Sequence, residues 1–134
     1  MNDQWDDNQP IYRQLRDRVV AMILDGVLKE GDPLPSVRTI AAENRVNPMT
    51  VLKAWQQLAD EDLVEKRRGL GMYVRANVQA PLLAAERRKF LETQWPPIRQ
   101  NIRRLDLSLL DLSLGELLAP GATAGVAPDK QGKR

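Results

Sequence analysis

Two helix starts stand close together in this chain, and almost no sequence separates the helices they open. Ser36 is a strong N-cap residue. Val37, Ile40 and Ala41 follow it at inward-facing spacing, and the helix is expected to end near Asn44. Only Arg45-Val46 then precedes Asn47, a second N-cap, and Pro48, a residue suited to the first helical position. So short a connection forces the second helix to cross the first at a steep angle. In that second helix Val51, Ala54, Trp55 and Leu58 share one face. Met49, Leu52, Lys53, Gln56 and Asp60 share the other, with Thr50 and Gln57 beside it. Glu61-Asp62 is its expected stop.

The flanks complete a small domain. Ile11, Leu15, Val19 and Ile23 recur at four-residue steps after Pro10, with Tyr12 and Met22 widening the stripe and Gly26 ending it. The stretch from Lys29 to Pro35 is dense in breakers and reads as a loop. After Asp62, Leu63–Lys66 and Met72–Arg75 read as two strands around a tip in which Gly69 and Gly71 permit positive φ.

The pattern changes between Ala76 and Pro81. Leu82–Gln94 looks helical, Pro96-Pro97 interrupt, and a seam follows at Leu91, Trp95, Ile98, Ile102, Leu105, Leu109 and Leu112. Its alternating steps of four and three are heptad-like, the spacing of a helix packed along a partner. The prolines, and a cap at Ser108 with Asp111 three residues on, predict two or three helical pieces rather than one rod. The seam either packs back on the N-terminal domain or forms a two-fold interface. The second is favoured, because a short helical segment has little core of its own to fill. The expected organisation is a domain at 9–77, a helical dimerisation segment at 78–118 and a disordered tail at 119–134 rich in Ala, Gly and Pro.

Composition excludes more than it assigns. The 134 residues contain no cysteine and no histidine, which removes disulfides, thiolate chemistry, the usual general base and the commonest zinc ligand. With no phosphate-binding glycine motif, metal-ligand spacing or paired carboxylates, an enzyme is the weakest reading, and neither metal nor cofactor is expected. Apolar runs fall far short of the roughly 20 residues that cross a bilayer, and the acidic start is unlike a secretory signal. No membrane partner is expected, and a cytoplasmic location is the default. Net charge is only +2, and residues 1–78 hold 11 Lys and Arg against 12 Asp and Glu. A polyanion partner therefore has to be argued from local clustering.

Such clustering exists. A helix after a tight turn can lie in the DNA major groove, its outward side chains reaching base edges and its N-terminus facing phosphate. Met49, Thr50, Lys53 and Gln56 form that outward set, and Lys, Gln and Thr all pair with base-edge groups. Ser36 and Asn47 stand at the helix N-termini. Arg38, on the first turn of the preceding helix, is placed for a phosphate or a guanine. Lys66, Arg67, Arg68 and Gly69 at the hairpin tip are placed for flanking phosphates or the minor groove. Blander readings stand beside these. Arg38 could pair with Glu43 or Asp32, the basic turn could be a solvated loop, Lys53 could simply face solvent, Thr50 could serve local backbone bonding, and Trp55 belongs to the core.

Four ordered stretches resemble the winged-helix domain of GntR-family bacterial transcription regulators. They are Pro10–Leu15, Gly31–Arg38, Asn47–Trp55 and Arg68–Val74. The short helical C-terminal part is similar to that of the YtrA subfamily. The resemblance implies an α+β, mostly α fold: an N-terminal winged helix-turn-helix with a short helical dimerisation segment. It also implies that Arg38, Thr50 and Gly69 contact DNA, with Asn47 and Lys53 at motif positions. Two residues depart from the family's pattern. Pro48-Met49 stand where many members carry Arg, which shifts base readout toward Arg38 and Lys53. Asp62 stands where the family usually has Gly at the helix-to-strand turn. The expected function is a dimeric, sequence-specific repressor on an inverted-repeat operator, with a transporter operon as the target class by resemblance. A small-molecule effector is left open. The alternative is a winged-helix module that binds protein rather than DNA.

Overall fold

The computed structural model describes residues 5–117, so the tail expected at 119–134 lies outside the described residues. The chain divides into two compact units between Arg88 and Lys89.

In the first unit, α1 (Ile11–Leu24) starts after Pro10 and buries Leu15, Val19, Val20 and Ile23. The helix α2 (Val37–Asn44) starts where the Ser36 hydroxyl accepts the Thr39 N–H at 3.0 Å. It closes at Arg45, which takes a left-handed φ of 56°. That conformation costs an L-residue about 1–2 kcal/mol, and it turns the chain within three residues into α3 (Pro48–Asp60). Asn47 caps α3 by accepting the Met49 N–H at 2.8 Å, with Pro48 in the first turn. The inward face of α3 is the expected one: Val51, Ala54, Trp55 and Leu58 are all buried. The Trp55 indole N–H donates to the Pro35 carbonyl at 3.2 Å, which fastens α3 to the loop before α2. Both α1 and α2 pack on α3, so one core supports the two crossed helices.

Asp62 leaves α3 at φ 62°, the left-handed turn where Gly is usual. Strands β1 (Val64–Arg67) and β2 (Gly71–Val74) pair antiparallel with Val64 opposite Val74 and Arg67 opposite Gly71. Each strand sits one residue nearer the tip than expected. At that tip Gly69 and Gly71 have φ of 75° and 99°, and the Leu70 N–H closes the turn on the Arg67 carbonyl at 2.9 Å. The breaker-rich loop also joins the sheet. The Gly31 N–H donates to Val74 O (2.8 Å), Val74 N–H to Asp32 O (2.9 Å), and Leu34 N–H to Met72 O (2.8 Å). Pro33 pairs opposite Tyr73 without needing an N–H, because its neighbours carry the bonds.

The helix α4 (Gln79–Lys89) is anchored by buried Leu82. Glu86 on this helix and Glu61 at the end of α3 both accept from Arg16, whose side chain is only 8 % exposed. Asp17 accepts from the same guanidinium at 2.8 Å. These charge-assisted bonds hold the Arg16 pKa well above its ordinary value despite burial, which works the other way. Arg16 was not among the residues expected to matter.

In the second unit the residues of the seam are divided among separate helical pieces, with breaks at the prolines and the Ser108 cap as expected. A π-helical segment (Phe90–Gln94) ends with the Trp95 N–H bonded to the Phe90 carbonyl, and α5 (Trp95–Arg104) follows. Pro96 and Pro97 lack N–H groups and crowd the carbonyls one turn back, which favours the wider ring there. The helices α6 (Leu109–Leu112) and α7 (Leu114–Leu117) are short, α6 being opened by the expected reciprocal Ser108–Asp111 cap. That cap and the left-handed Asp106 at φ 55° break the register after α5. Trp95, Ile98 and Ile102 share α5; Leu91 lies in the π segment, Leu105 at the α5 C-cap, and Leu109 and Leu112 on α6. Trp95, Ile102 and Leu112 are half-buried, and the other four are exposed, Leu109 at 71 %.

Candidate nucleic-acid interface

Because Val51, Ala54, Trp55 and Leu58 point into the core, helical geometry sends Met49, Leu52, Lys53 and Gln56 outward. Met49 is 68 % exposed and Leu52 46 %, so two apolar side chains stand among polar ones on the free face of a small domain. Thr50 is half-buried at their edge. The Gln56 amide donates to Asp60 Oδ1 at 3.1 Å. Lys53 is exposed, and its ammonium lies 4.2 Å above the centre of the Tyr12 ring.

Arg38 is exposed on the first turn of α2, with no hydrogen bond or ion pair among the described residues. Asp32, one of its suggested surface partners, instead accepts the Lys29 N–H at 2.8 Å. Ser36 and Asn47 both spend their side chains on caps: the Ser36 hydroxyl also meets Thr39 Oγ1 at 2.8 Å. What they contribute to a ligand is the helix N-terminus each one fixes.

The hairpin tip is less uniform than its basic run suggests. Strand alternation puts Lys66 on the face of Val64, Met72 and Val74, and Arg67 on the face of Glu65 and Tyr73. Arg67 lies 4.2 Å over the Tyr73 ring and 3.5 Å from a Glu65 carboxylate oxygen. Arg68 is exposed beside Gly69 with no partner among the described residues. Tyr12, Glu65 and Tyr73 therefore touch the candidate cations, and sequence reasoning missed all three in that role. For Glu65 and Tyr73 the signal was present: they are register partners one step from Arg67 on the same face. For Tyr12 no spacing rule pointed to Lys53.

An open cleft of about 630 Å³ lies in the first unit, lined in part by Arg16, Glu61, Asp62, Arg75, Leu82 and Glu86. Its charges already pair among themselves, Arg16 with Glu61 and Glu86 and Arg75 with Asp62 at 3.3 Å, so its chemistry singles out no ligand. Among the described residues no cluster of acidic side chains is arranged to hold a metal, and no helix is long and apolar enough to cross a membrane.

Three packed helices, the second and third joined by a three-residue turn, and a following hairpin with cations at its tip define a winged helix-turn-helix domain. The chain belongs to the GntR family: the model for "Bacterial regulatory proteins, gntR family" matches residues 11–74. The YtrA structure from Sulfolobus acidocaldarius, a GntR-family transcription factor, is 33% identical, with a TM-score of 0.51 over 66% of this chain and 93% of that one. A transcriptional regulator from Oenococcus oeni is 26% identical, with a TM-score of 0.64 over 86% of this chain and 96% of that one. The Bacillus subtilis HTH-type transcriptional repressor YtrA is 40% identical over 74 residues, which is 55% of this chain and 57% of the repressor. The chain thus spans somewhat more than half the length of that curated relative.

Proposed function

We propose that the protein is a sequence-specific DNA-binding transcription repressor that acts as a dimer on an inverted-repeat operator. The observation that carries this reading is the free face of α3. It places Met49, Lys53 and Gln56 outward, with exposed Arg38 on the adjoining helix and exposed Arg68 at the wing tip. Lys and Gln suit guanine and adenine edges, and the Met49 side chain suits a thymine methyl. Thr50 sits at the margin of the reading face. The N-termini of α2 and α3, set by Ser36 and Asn47, supply phosphate contacts with the wing.

The apolar residues from Leu91 onward support the two-fold association. Leu91, Ile98, Leu105 and Leu109 are exposed in the single chain, and a second copy would cover such a surface. We place the dimer-forming surface in the unit that begins at Lys89, and the reading head in the unit before it. Repression and a transport-related target follow the printed names of relatives. One is the YtrA repressor; another is the Escherichia coli mannosyl-D-glycerate transport/metabolism system repressor, 38% identical over 68 residues.

Selection of bound duplexes from a random pool tests the proposal. The expected result is a palindromic consensus whose half-sites lie about one helical turn apart, bound with an affinity that falls steeply with salt. A pool that stays random through repeated rounds, with binding insensitive to salt, refutes it in favour of a protein-binding module.

A further inference from the structure

We propose that Tyr12 is a positioning residue for DNA recognition: its ring is the rest that fixes where the Lys53 ammonium stands on the outward face of α3. The inference depends on the reading of Lys53 as a base contact.

A lysine side chain is long, and an unheld ammonium can reach phosphates in many directions, which adds affinity without discrimination. Lys53 is exposed and has no carboxylate partner among the described residues. Its ammonium nevertheless has a defined place, 4.2 Å from the Tyr12 ring centre. The ring itself is fixed. Tyr12 lies in the first turn of α1, just after the Pro10 cap, and packs half-buried against the core. Its hydroxyl accepts from Arg13 Nε at 3.4 Å, a second restraint on the ring. The two cations beside the phenol hold its pKa below the ordinary tyrosine value, Arg13 through its hydrogen bond most of all.

An aromatic rest differs in kind from a carboxylate. The ring quadrupole attracts the ammonium yet leaves its full positive charge. It covers one side of the group and leaves N–H donors free to point at guanine O6 and N7. Arg67 shows the contrast: it too lies over a tyrosine, but Glu65 at 3.5 Å offsets part of its charge. Lys53 is thus placed to read, and Arg67 is placed with its charge partly spent.

The test uses the full chain and the duplex selected by the unaltered protein, together with duplexes changed at each base pair of one half-site. Binding is followed by fluorescence anisotropy, and folding is checked by thermal melting. Lys53→Ala should flatten the preference at one base pair. Tyr12→Leu, which keeps apolar bulk, should weaken that same preference about two- to fivefold and have no further effect when Lys53 is already Ala. Tyr12→Phe keeps the ring and should keep the preference. In the free protein the Lys53 ε-methylene protons should show an upfield ring-current shift that survives Tyr12→Phe and vanishes in Tyr12→Leu. Three results overturn the role of Tyr12 alone: Tyr12→Leu leaves the preference intact while Lys53→Ala flattens it, weakens all duplexes equally even in the Lys53→Ala background, or tightens binding. If Lys53→Ala itself leaves every preference unchanged, the reading of Lys53 falls, and the role of Tyr12 with it.

Discussion

Replacing Arg16 with Met should destabilise the protein more than any surface change in the candidate interface. The guanidinium is nearly inaccessible, while the Glu61 and Glu86 side chains are 29% and 23% exposed. Methionine matches the length of the arginine stem but removes the guanidinium that Glu61, Glu86 and the more exposed Asp17 share. Breaking a buried pair by removing one partner costs about 3–5 kcal/mol. Partial exposure lets both glutamates recover some hydration, and Gln57 still donates to Glu61 at 2.7 Å. The expected loss is therefore about 2–3 kcal/mol. For a unit of this size that corresponds to a melting temperature lower by roughly 10–20 °C. Urea denaturation at one fixed protein concentration reads it out, with an unchanged m-value showing that the native state is still formed. Adding Glu61→Gln and Glu86→Gln to Arg16→Met should bring the stability back to within about 1 kcal/mol of the parent, because neutral amides do not repel. A loss below about 0.5 kcal/mol for the single change, or a triple variant no better than the single one, would refute the assignment of this network as the tie between α1, α3 and α4.

Arg38→Ala should lower affinity for the selected duplex about tenfold or more while moving thermal stability little, since the side chain has no hydrogen bond or ion pair among the described residues; equal gel-shift titrations would remove it from the interface. Glu65→Gln should raise duplex affinity about two- to fivefold at low salt by freeing the charges of Arg67 and Arg75, which it meets at 3.5 and 3.9 Å, with the gain fading as salt screens it. A drop in affinity would show that Glu65 orients Arg67 productively instead. Asp62→Gly should stabilise by about 0.5 kcal/mol, because glycine accepts the left-handed φ more easily and the Arg75 pair it gives up is exposed; a lower urea midpoint would contradict this. Ile102→Glu should convert dimers to monomers in light scattering and weaken binding to the two-half-site duplex, and a dimer that persists would exclude that face of α5.

The parts of the fold set by local chemistry were legible in the sequence. Ser36 and Asn47 each cap the helix they were expected to cap, and the four inward residues of α3 are buried together. The placement of Met49, Lys53 and Gln56 on the free face followed from that periodicity alone. Features that depend on non-local partners were not legible. The segment from Gly31 to Leu34 looks like an irregular loop because of its glycine and prolines, yet its ladder bonds use only the residues on either side of Pro33. Arg16 sits on a face that a hydrophobic stripe would assign to the core, and its burial rests on the distant carboxylates of Glu61 and Glu86 together with neighbouring Asp17. The breaks in the apolar seam were also legible, because they are local: the paired prolines and the Ser108–Asp111 cap divide residues 91–112 into separate helical pieces where the sequence places them.

The backbone ladder between residues 31–34 and β2 has a mechanical consequence. Both edges of β2 are occupied, one by β1 and one by the strip that leads into α2. The hairpin is thereby spliced to the same stretch of chain that ends in the Ser36 cap. On the proposed reading, the two probes of the duplex behave as a single gauge with a preset gap. Little ordering remains to be done at contact, and a duplex whose grooves do not match that gap is turned away by its contour before any base is consulted.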